Sequence, residues 1–361
     1  MSDYAAAMTR PGVVNRARTL LKEPVLVVLV VLVVVFSVSN ETFATVPNWT
    51  DLAISYFPEL ALLTIASALV LLIRGIDLSV AAVSALTAVF TGEMYQAGSG
   101  IVLAVVLGLV VAVLAGTLNG LLIVYARVSP IVTTLATLQL YRGISLGVTN
   151  GLDVSGFPES FTFIGQGFIA GQPAQMATVI IVAVLVIVVL RRSMLGRWIY
   201  ALGGNPRAAR LSGVPTRRLT IGVYAAASLI AGIAGLITAA RLGATRADMN
   251  SGAELDAITA AILGGISIAG GRGKILWALA GALTIGVLRN GLTLLNQTGY
   301  VQIVAVGLVL IFAVLMQKVT TRRTLRREIR AQLDAPRSDD LGAASRNVPQ
   351  DTEPSGIPVG R

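Results

Sequence analysis

The chain has 361 residues, of which 55% are hydrophobic and only 13% are charged, and its mean hydropathy is +0.79. Soluble proteins carry about 25% charged residues, so this composition indicates a helical membrane protein that crosses the bilayer several times. The sequence has no His and no Cys, which excludes thiol catalysis, disulfides, Cys/His zinc sites and histidine acid–base chemistry, and its net charge of +10 is attributed to cytoplasmic loops rather than to nucleic-acid binding.

The first segment, residues 1–22, is polar and basic and precedes an apolar run from Val25 to Ser39. This run is short enough for a signal peptide, which is the competing interpretation. However, no clear cleavage sequence of small residues follows it, and the charged leader is long. We therefore predict an uncleaved first helix behind a cytoplasmic leader.

Further apolar segments predict helices 2 to 10, for about ten helices in all. Their approximate bounds are Pro58–Ile73, Leu78–Ala97, Ile101–Tyr125, Ile131–Val148, Met176–Leu190, Thr220–Ala240, Leu255–Ala269, Ile275–Leu295 and Val301–Gln317. Several are shorter than the roughly 17–25 residues that span a bilayer, so either their ends use flanking polar residues or some helices are broken. Most of the 28 Lys and Arg residues fall on the side of the N-terminus, which places both termini in the cytoplasm.

Two segments lie outside these helices. The longest outer loop, Asn150–Gln175, carries four Phe residues among glycines and is predicted to form a short helix at the outer interface. The segment 319–361 begins with a basic stretch that we interpret as a cytoplasmic solvated or membrane-surface helix. After Asp334 its polar composition is typical of disorder.

The loop from Arg191 to Thr220, between helices 6 and 7, is long and basic. Asn205 and the proline after it form a helix start, Arg207–Ser212 can make one or two helical turns, and Gly213 provides a stop. Retention of the loop in the cytoplasm explains its charge but not these paired signals. The pattern predicts a short capped helix that docks a soluble partner.

A small polar motif, Gly75, Asp77 and Ser79, stands where helix 3 is predicted to begin. The simplest role for this Asp is to cap the helix, because its carboxylate can accept hydrogen bonds from free N–H groups. A substrate or ion role is the alternative. Glu254 and Asp256, at the predicted start of helix 8, have the same two interpretations.

The glycine-rich stretch Leu263–Ile275 suggests a nucleotide-binding loop, but its spacing is wrong. A phosphate loop requires G-x-x-x-x-G-K-[ST] after a strand. Before Gly273 and Lys274 the required glycine is replaced by Ile268, and Ile275 stands in place of Ser or Thr. ATP binding by that route is excluded.

Polar residues inside apolar helices are costly and are candidates for a path across the membrane. They are Asn119, Gln139, Tyr141, Arg142, Arg289 and Asn290. The two arginines could instead reach the outer interface. The tripeptide Asn-Gly-Leu occurs at 119–121 and at 290–292, five helices apart, which weakly indicates an inverted repeat. Intramembrane glycines such as Gly116 and Gly232 are interpreted as sites of close helix packing.

Several longer stretches occur in a characteristic order from helix 1 to helix 10. They are GIDLSV at 75–80, NGLLI at 119–123, SPIVTTLATLQLYRGI at 129–144, GGNPRAARLSGV at 203–214 and ELDAITAAILGGISIAGGRG at 254–273. Together they resemble the membrane permease of bacterial ribose-type ABC sugar importers. The LYRGI stretch and the outer loop look nearer to members assigned to rhamnose or autoinducer-2. Two positions depart from the family pattern, since Arg74 and Ala81 stand where glycine is common.

The resemblance implies a permease domain over 23–318 in the bacterial plasma membrane, paired with an identical or a sister permease. It also implies two cytoplasmic ATPases that engage the loop 191–219, an extracytoplasmic binding protein that delivers a sugar or sugar-like solute, and contact with membrane lipid. The implied coupling residues are Gly204, Asn205, Arg207, Ala208, Ala209, Arg210 and Gly213. The chain would be no enzyme and would need no cofactor, metal or nucleic acid. The alternative is a secondary transporter driven by an ion gradient.

Overall fold

The computed structural model describes residues 24–315, which form a helical bundle. The predictions for the leader 1–22 and for the tail 319–361 lie outside this range. Within it, five helices are long and apolar enough to cross a membrane: Val46–Leu72, Ile101–Val124, Ala174–Arg192, Thr216–Leu242 and Ile275–Leu294. This architecture confirms the prediction of a helical membrane protein with several spans.

The helices follow the predicted order, with short elements between them. The first half of the described chain contains α1 Pro24–Ser39, α2 Val46–Asp51, a π-helical segment Leu52–Tyr56, α3 Phe57–Leu72, α4 Val80–Gln96, α5 Ile101–Val124 and α6 Pro130–Thr149. The second half contains α7 Glu159–Gln166, α8 Ala174–Arg192, α9 Met194–Gly204, α10 Pro206–Leu211, α11 Thr216–Leu242, α12 Ala253–Leu263, α13 Ile275–Leu294 and α14 Gly299–Leu315.

The second predicted helix was placed too late in the chain. It begins at Val46 rather than at Pro58 and continues through the π-helical segment into α3. Proline lacks an N–H group and its ring clashes with the carbonyl of an ordinary helical turn. The wider turn lies immediately before Pro58, where Phe57 N donates to Leu52 O, so the helix accommodates the proline instead of starting at it.

The eighth predicted helix was placed too long. The helix α12 ends at Leu263, not at Ala269, and its 11 residues cover about 16 Å of a roughly 30 Å apolar layer. Gly265 has a φ of +82°, a backbone conformation that stops a helix. The non-helical loop 264–274 follows and leads into α13.

Helix α11 lies at the centre of the bundle and packs against α3, α4 and α5. Small residues bring these helices together, as the sequence predicts. A Cβ atom on Gly120 would lie 2.7 Å from Ile221 Cα, and one on Gly235 would lie 2.0 Å from Ser84 O. Helix α11 also starts earlier than predicted, at Thr216 rather than at Thr220.

The loop Asn150–Gln175, which the sequence predicts to lie outside, is folded rather than extended. Residues Val154–Ser155 (β1) pair antiparallel with Ala244–Thr245 (β4), and Phe168–Ile169 (β2) pairs with Gln172–Pro173 (β3). The predicted short helix is α7, and it packs against the end of α11 so closely that a Cβ atom on Gly165 would lie 2.2 Å from Arg241 N.

Candidate functional site

The predicted start and stop of a short helix in the 191–219 loop are both present. Asn205 Oδ1 accepts hydrogen bonds from Arg207 N and Ala208 N, both at 3.1 Å, and so caps α10. At the other end, Gly213 has a φ of +80° and donates its N–H to Arg210 O at 3.1 Å. Asn205 therefore begins the short helix as an N-cap residue, and Gly213 ends it in a left-handed conformation.

One face of α10 is turned into the protein and the other is exposed. Ala209 is buried, whereas Arg207, Ala208 and Arg210 are exposed. Leu211, at the last position, is 89% exposed. An exposed leucine that follows two exposed arginines at the end of a rigid short helix is suited to an apolar socket with acidic surroundings. Leu211 does not stand out in the sequence, because a leucine in such a segment is ordinarily expected to be buried.

Helix α9 leads into α10 and ends against two other parts of the chain. Its last residues, Gly203 and Gly204, have backbone carbonyls without a partner inside the helix. Arg74, just after α3, donates Nε to Gly203 O at 2.5 Å and Nη2 to Gly204 O at 2.6 Å. A cation at the C-terminal end of a helix is also favoured by the helix dipole. We call this meeting of α3, α9 and the 264–274 loop the cytoplasmic junction, after the side of the membrane that the distribution of Lys and Arg predicts for it.

The 264–274 loop forms the third part of the cytoplasmic junction. Gly271 N donates to Leu72 O at 2.9 Å, and Tyr200 OH donates to Gly273 O at 2.9 Å. Burial raises the pKa of Tyr200, which keeps its hydroxyl a donor, and the nearby Arg191 opposes that shift. The glycines that resemble a phosphate loop in the sequence are used here for close backbone approach, since a Cβ atom on Gly271 would lie 2.5 Å from Gly204 N.

Arg74 stands in an unusual backbone conformation for its residue type. Its φ is +66°, in the left-handed region that glycine enters without strain and other residues enter at a cost of about 1–2 kcal/mol. This is one of the two positions at which the sequence departs from the family pattern. Glycine would avoid the backbone strain at this position, but it could not form the two side-chain hydrogen bonds that Arg74 makes to α9.

A polar cluster lies beside the cytoplasmic junction, in the link between α3 and α4. Asp77 Oδ1 accepts from Ser79 N at 2.8 Å and from Ser79 Oγ at 2.6 Å. Asn119 Nδ2 donates to Ser79 Oγ at 2.9 Å, and Tyr141 OH lies 3.4 Å from Asn119 Oδ1 and donates to Ala115 O at 2.8 Å. The structure thus brings the Asp77–Ser79 motif together with Asn119 and Tyr141, which the sequence offered as a separate set.

The prediction that Asp77 caps helix 3 is wrong in its detail. Helix α4 begins at Val80, with Ser79 at the cap position, so Asp77 holds the preceding link rather than the helix. Within residues 24–315, Asp77 Oδ2 and the hydroxyl of buried Tyr224 have no hydrogen-bond partner. Gly75 belongs to the same contact, because a Cβ atom there would lie 2.5 Å from Tyr224 OH.

Other predicted polar residues are held by partners away from the cytoplasmic junction. Arg142 Nη1 donates to Ala247 O at 2.8 Å and to Met249 O at 2.7 Å, so its guanidinium binds the segment after α11. Asn290 and Asn48 exchange side-chain hydrogen bonds of 2.9 and 3.0 Å. These internal partners, rather than the outer interface, take up the polar groups.

Arg289 forms an ion pair with Asp256, with 2.5 Å between Arg289 Nη2 and Asp256 Oδ2. Asp256 therefore does not act as a helix cap, although its neighbour Glu254 does accept from Gly252 N at the start of α12. A second ion pair, Glu59 with Arg241 at 3.4 Å, joins α3 to α11. The first pair joins the consecutive helices α12 and α13, whereas the second joins helices that are far apart in sequence.

Gln139 differs from the rest of the predicted set. It lies on the exposed side of α6 and makes no hydrogen bond to any residue between 24 and 315. Gly143 and Gly147 share that side, and a Cβ atom on either would meet nothing within 4 Å. Whether this face lines a path stays a prediction.

Comparisons with known proteins agree with one another. Residues 49–315 match the family described as the branched-chain amino acid transport system permease component. The ribose import permease of Bacillus subtilis is 36% identical over 292 residues, which cover 80% of this chain and 90% of that protein. The D-allose and L-arabinose transport system permeases of Escherichia coli are each 34% identical, covering 82% and 81% of this chain and 91% and 89% of their own. No solved structure matches the chain significantly.

Proposed function

The chain belongs to the branched-chain amino acid transport system permease family, in its ribose-type group, and from that premise we propose that it is the membrane-spanning subunit of an ATP-driven importer for a sugar. The relatives cited are named for ribose, D-allose and L-arabinose, so a free pentose or hexose is the proposed solute class. The resemblance to the rhamnose and autoinducer-2 members gains no support from these names. The ion-gradient alternative is not favoured either.

The proposal includes the assembly around the chain. Two permease chains would form the path in the bacterial plasma membrane, two cytoplasmic ATPases would bind the α9–α10 loops, and an extracytoplasmic binding protein would deliver the solute. The observation that carries this proposal is the capped helix α10 with its exposed Leu211 and flanking arginines. Such a helix is rigid enough to transmit a push, because both of its ends are fixed by hydrogen bonds.

Transmission would run from α10 through α9 to the cytoplasmic junction and from there to the polar cluster. Arg74, which binds the end of α9, and Asp77 lie three residues apart in the same non-helical link. A displacement of α9 would therefore move Asp77 directly through this link. The candidate path residues of the cluster, Asn119 and Tyr141, are then the first to respond. This order assigns coupling to Gly204, Asn205 and α10, and substrate passage to residues beyond the link.

The test of the proposal is purification of the tagged full-length chain in mild detergent with identification of the proteins that accompany it. An ATPase subunit and a binding protein are expected. Sugar uptake in vesicles that contain the whole assembly should require ATP and the binding protein. Uptake by the chain alone under a proton or sodium gradient would overturn the proposal in favour of a secondary transporter.

Charge reversal on α10 tests the docking helix. The double variant Arg207→Glu/Arg210→Glu is expected to lower ATP-dependent uptake by about 30-fold or more, because like charges brought together at an interface cost on the order of 2–5 kcal/mol. Both side chains are exposed, so the chain should still insert and unfold at the unchanged temperature. Arg127→Glu, a single reversal in the exposed α5–α6 link, serves as the control. Wild-type uptake and ATPase binding in the double variant would contradict the assignment.

Two substitutions at position 74 separate the backbone from the side chain. Arg74→Gly removes the left-handed strain but also both bonds to α9, whose loss is expected to loosen the cytoplasmic junction by about 2 kcal/mol, or roughly 30-fold in its closed population. Uptake should fall while ATP hydrolysis continues. Arg74→Lys keeps the positive charge but lacks the planar guanidinium, so its uptake should lie between that of wild type and that of Arg74→Gly. Equal uptake in Arg74→Gly and wild type would show that the two bonds transmit nothing.

A further inference from the structure

An apolar cleft of about 430 Å³ opens between α8, α9 and α11, on the side of the bundle that carries the basic loop. Its walls are aliphatic side chains and one indole, among them Leu185, Leu190, Leu195, Trp198, Leu219 and Ile230. Leu185 and Leu195 are more than half or half exposed, at 61% and 50%, so the cleft continues onto the outer surface of the bundle. An exposed apolar surface on a helix long enough to span a membrane is suited to contact with lipid.

Gly222 lines the middle of this cleft. It stands inside a 27-residue helix, where glycine is less stable than alanine. A Cβ atom on Gly222 would meet nothing within 4 Å, unlike those on the packed glycines of the same helix. The glycine therefore does not serve contact within residues 24–315. Its effect is to leave room in the cleft.

The rim of the cleft is strongly basic. Arg218 is one of its lining residues, and Arg191, Arg192, Arg197 and Arg217 stand on the adjoining helix ends. All five are exposed, and none is ion-paired with a carboxylate in the described range. The sequence from 191 to 220 contains no Asp or Glu. The rim therefore attracts an anion that must come from elsewhere.

We propose that the cleft binds an anionic phospholipid of the cytoplasmic leaflet, with one acyl chain against Gly222 and the phosphate at Arg218. The apolar slot matches the acyl chain of such a lipid, and the unpaired cations at its end match the phosphate. In a phospholipid these two groups meet at the boundary between the hydrocarbon layer and the headgroups. The segment after residue 318 fits the slot less well, because its leucines and isoleucines are isolated among charged and polar residues.

The position of the cleft gives the lipid a role in regulation. Helix α9 forms one wall through Leu195 and Trp198, and the same helix ends at Gly203 and Gly204 in the cytoplasmic junction. An occupied cleft braces α9 against α11 and fixes its end relative to Arg74. This consequence rests on the proposed function, whereas binding of the lipid does not.

Trp198 provides a direct reporter of occupancy. In the full-length chain with Trp49→Phe and Trp277→Phe, it is the only tryptophan, because the sequence contains three. The chain is placed in phosphatidylcholine vesicles that contain a small fraction of phosphatidylglycerol brominated on its acyl chains, or the same fraction of brominated phosphatidylcholine. Bromine quenches tryptophan on contact. One arginine at the membrane surface supplies a preference of about fivefold for the anionic lipid, and stronger quenching by brominated phosphatidylglycerol is expected accordingly.

Two variants separate the parts of the site. Arg218→Gln should lower the preference for brominated phosphatidylglycerol by the roughly fivefold share of one arginine, and Gly222→Leu should reduce quenching by both lipids because it fills the slot. Gly307→Leu is the control, since Gly307 is an exposed glycine of α14 with open space at its Cβ position. Equal quenching of the wild-type reporter by both lipids would overturn the proposal. So would quenching that appears only after truncation at Lys318, which would identify the tail as the occupant.

Discussion

Gly203→Val is expected to abolish ATP-dependent uptake. A Cβ atom at this position would lie 1.8 Å from Leu72 O and 2.4 Å from Gly271 N. Both contacts are backbone atoms, so no side chain can rotate away to make room. Overpacking of this kind commonly costs about 1–3 kcal/mol or more, and here it would fall on the contact between α9, α3 and the 264–274 loop. The cytoplasmic junction would separate.

The neighbouring residue gives a matched control for the folding part of this prediction. Gly204 follows Gly203 in the same helix, yet a Cβ atom there would meet nothing within 4 Å. Gly204→Ala should therefore reach the membrane in normal amounts and unfold at the wild-type temperature. The measurement is uptake together with ATP hydrolysis in the reconstituted assembly. Uptake by Gly203→Val at even half the wild-type rate would mean that the close packing has no part in transport.

Removal of one partner of the Asp256–Arg289 pair should cause the largest loss of stability. The Asp256 side chain is 7% exposed and that of Arg289 is 33% exposed. Asp256→Ala would leave the arginine inside the bundle without its carboxylate, at a cost of about 3–5 kcal/mol. Arg289→Ala should be similarly damaging, because it leaves the buried carboxylate alone. The measurement is the thermal unfolding midpoint of the purified chain in detergent.

The double variant distinguishes an ion pair from two independent side chains. Asp256→Leu/Arg289→Met replaces both charges by apolar groups of similar length, and buried pairs treated in this way often recover most of their stability. The double variant should therefore be more stable than either single truncation. A Leu/Met double variant that is no more stable than the single alanine variants would mean that the two charges do not act as a pair.

The sequence predicts the spans of the bundle well because hydropathy and helix signals are local. The capped helix α10 is a clear case, since Asn205 and Gly213 act on backbone groups within three residues of themselves. The errors also have local causes. Pro58 resembles a helix start because the wider turn before it leaves no mark on hydropathy, and Ile266 and Ile268 extend an apolar pattern past the glycines that end α12.

The candidate site is less predictable, because its contacts cross long stretches of sequence. Arg74 and Gly203 are 129 residues apart, and Asn48 and Asn290 are 242 residues apart. No local pattern pairs them. What the two Asn-Gly-Leu tripeptides have in common is visible only from their contacts in the folded chain. Each asparagine binds a side chain from another part of the chain, and the glycine that follows it is closely approached by Ile221 in one case and by Phe36 in the other.

The π-helical segment Leu52–Tyr56 has a consequence for the length of the chain. An α-helix turns about 100° per residue, so the one extra residue in this turn sets the rotation of α2 relative to α3. Asn48 faces Asn290 only at that rotation. Side chains in the segment can therefore change while their number cannot, since one residue more or fewer would swing the whole preceding turn, and the asparagine with it, to another side of the helix. The segment therefore constrains the number of its residues, because that number sets the rotation of α2 relative to α3.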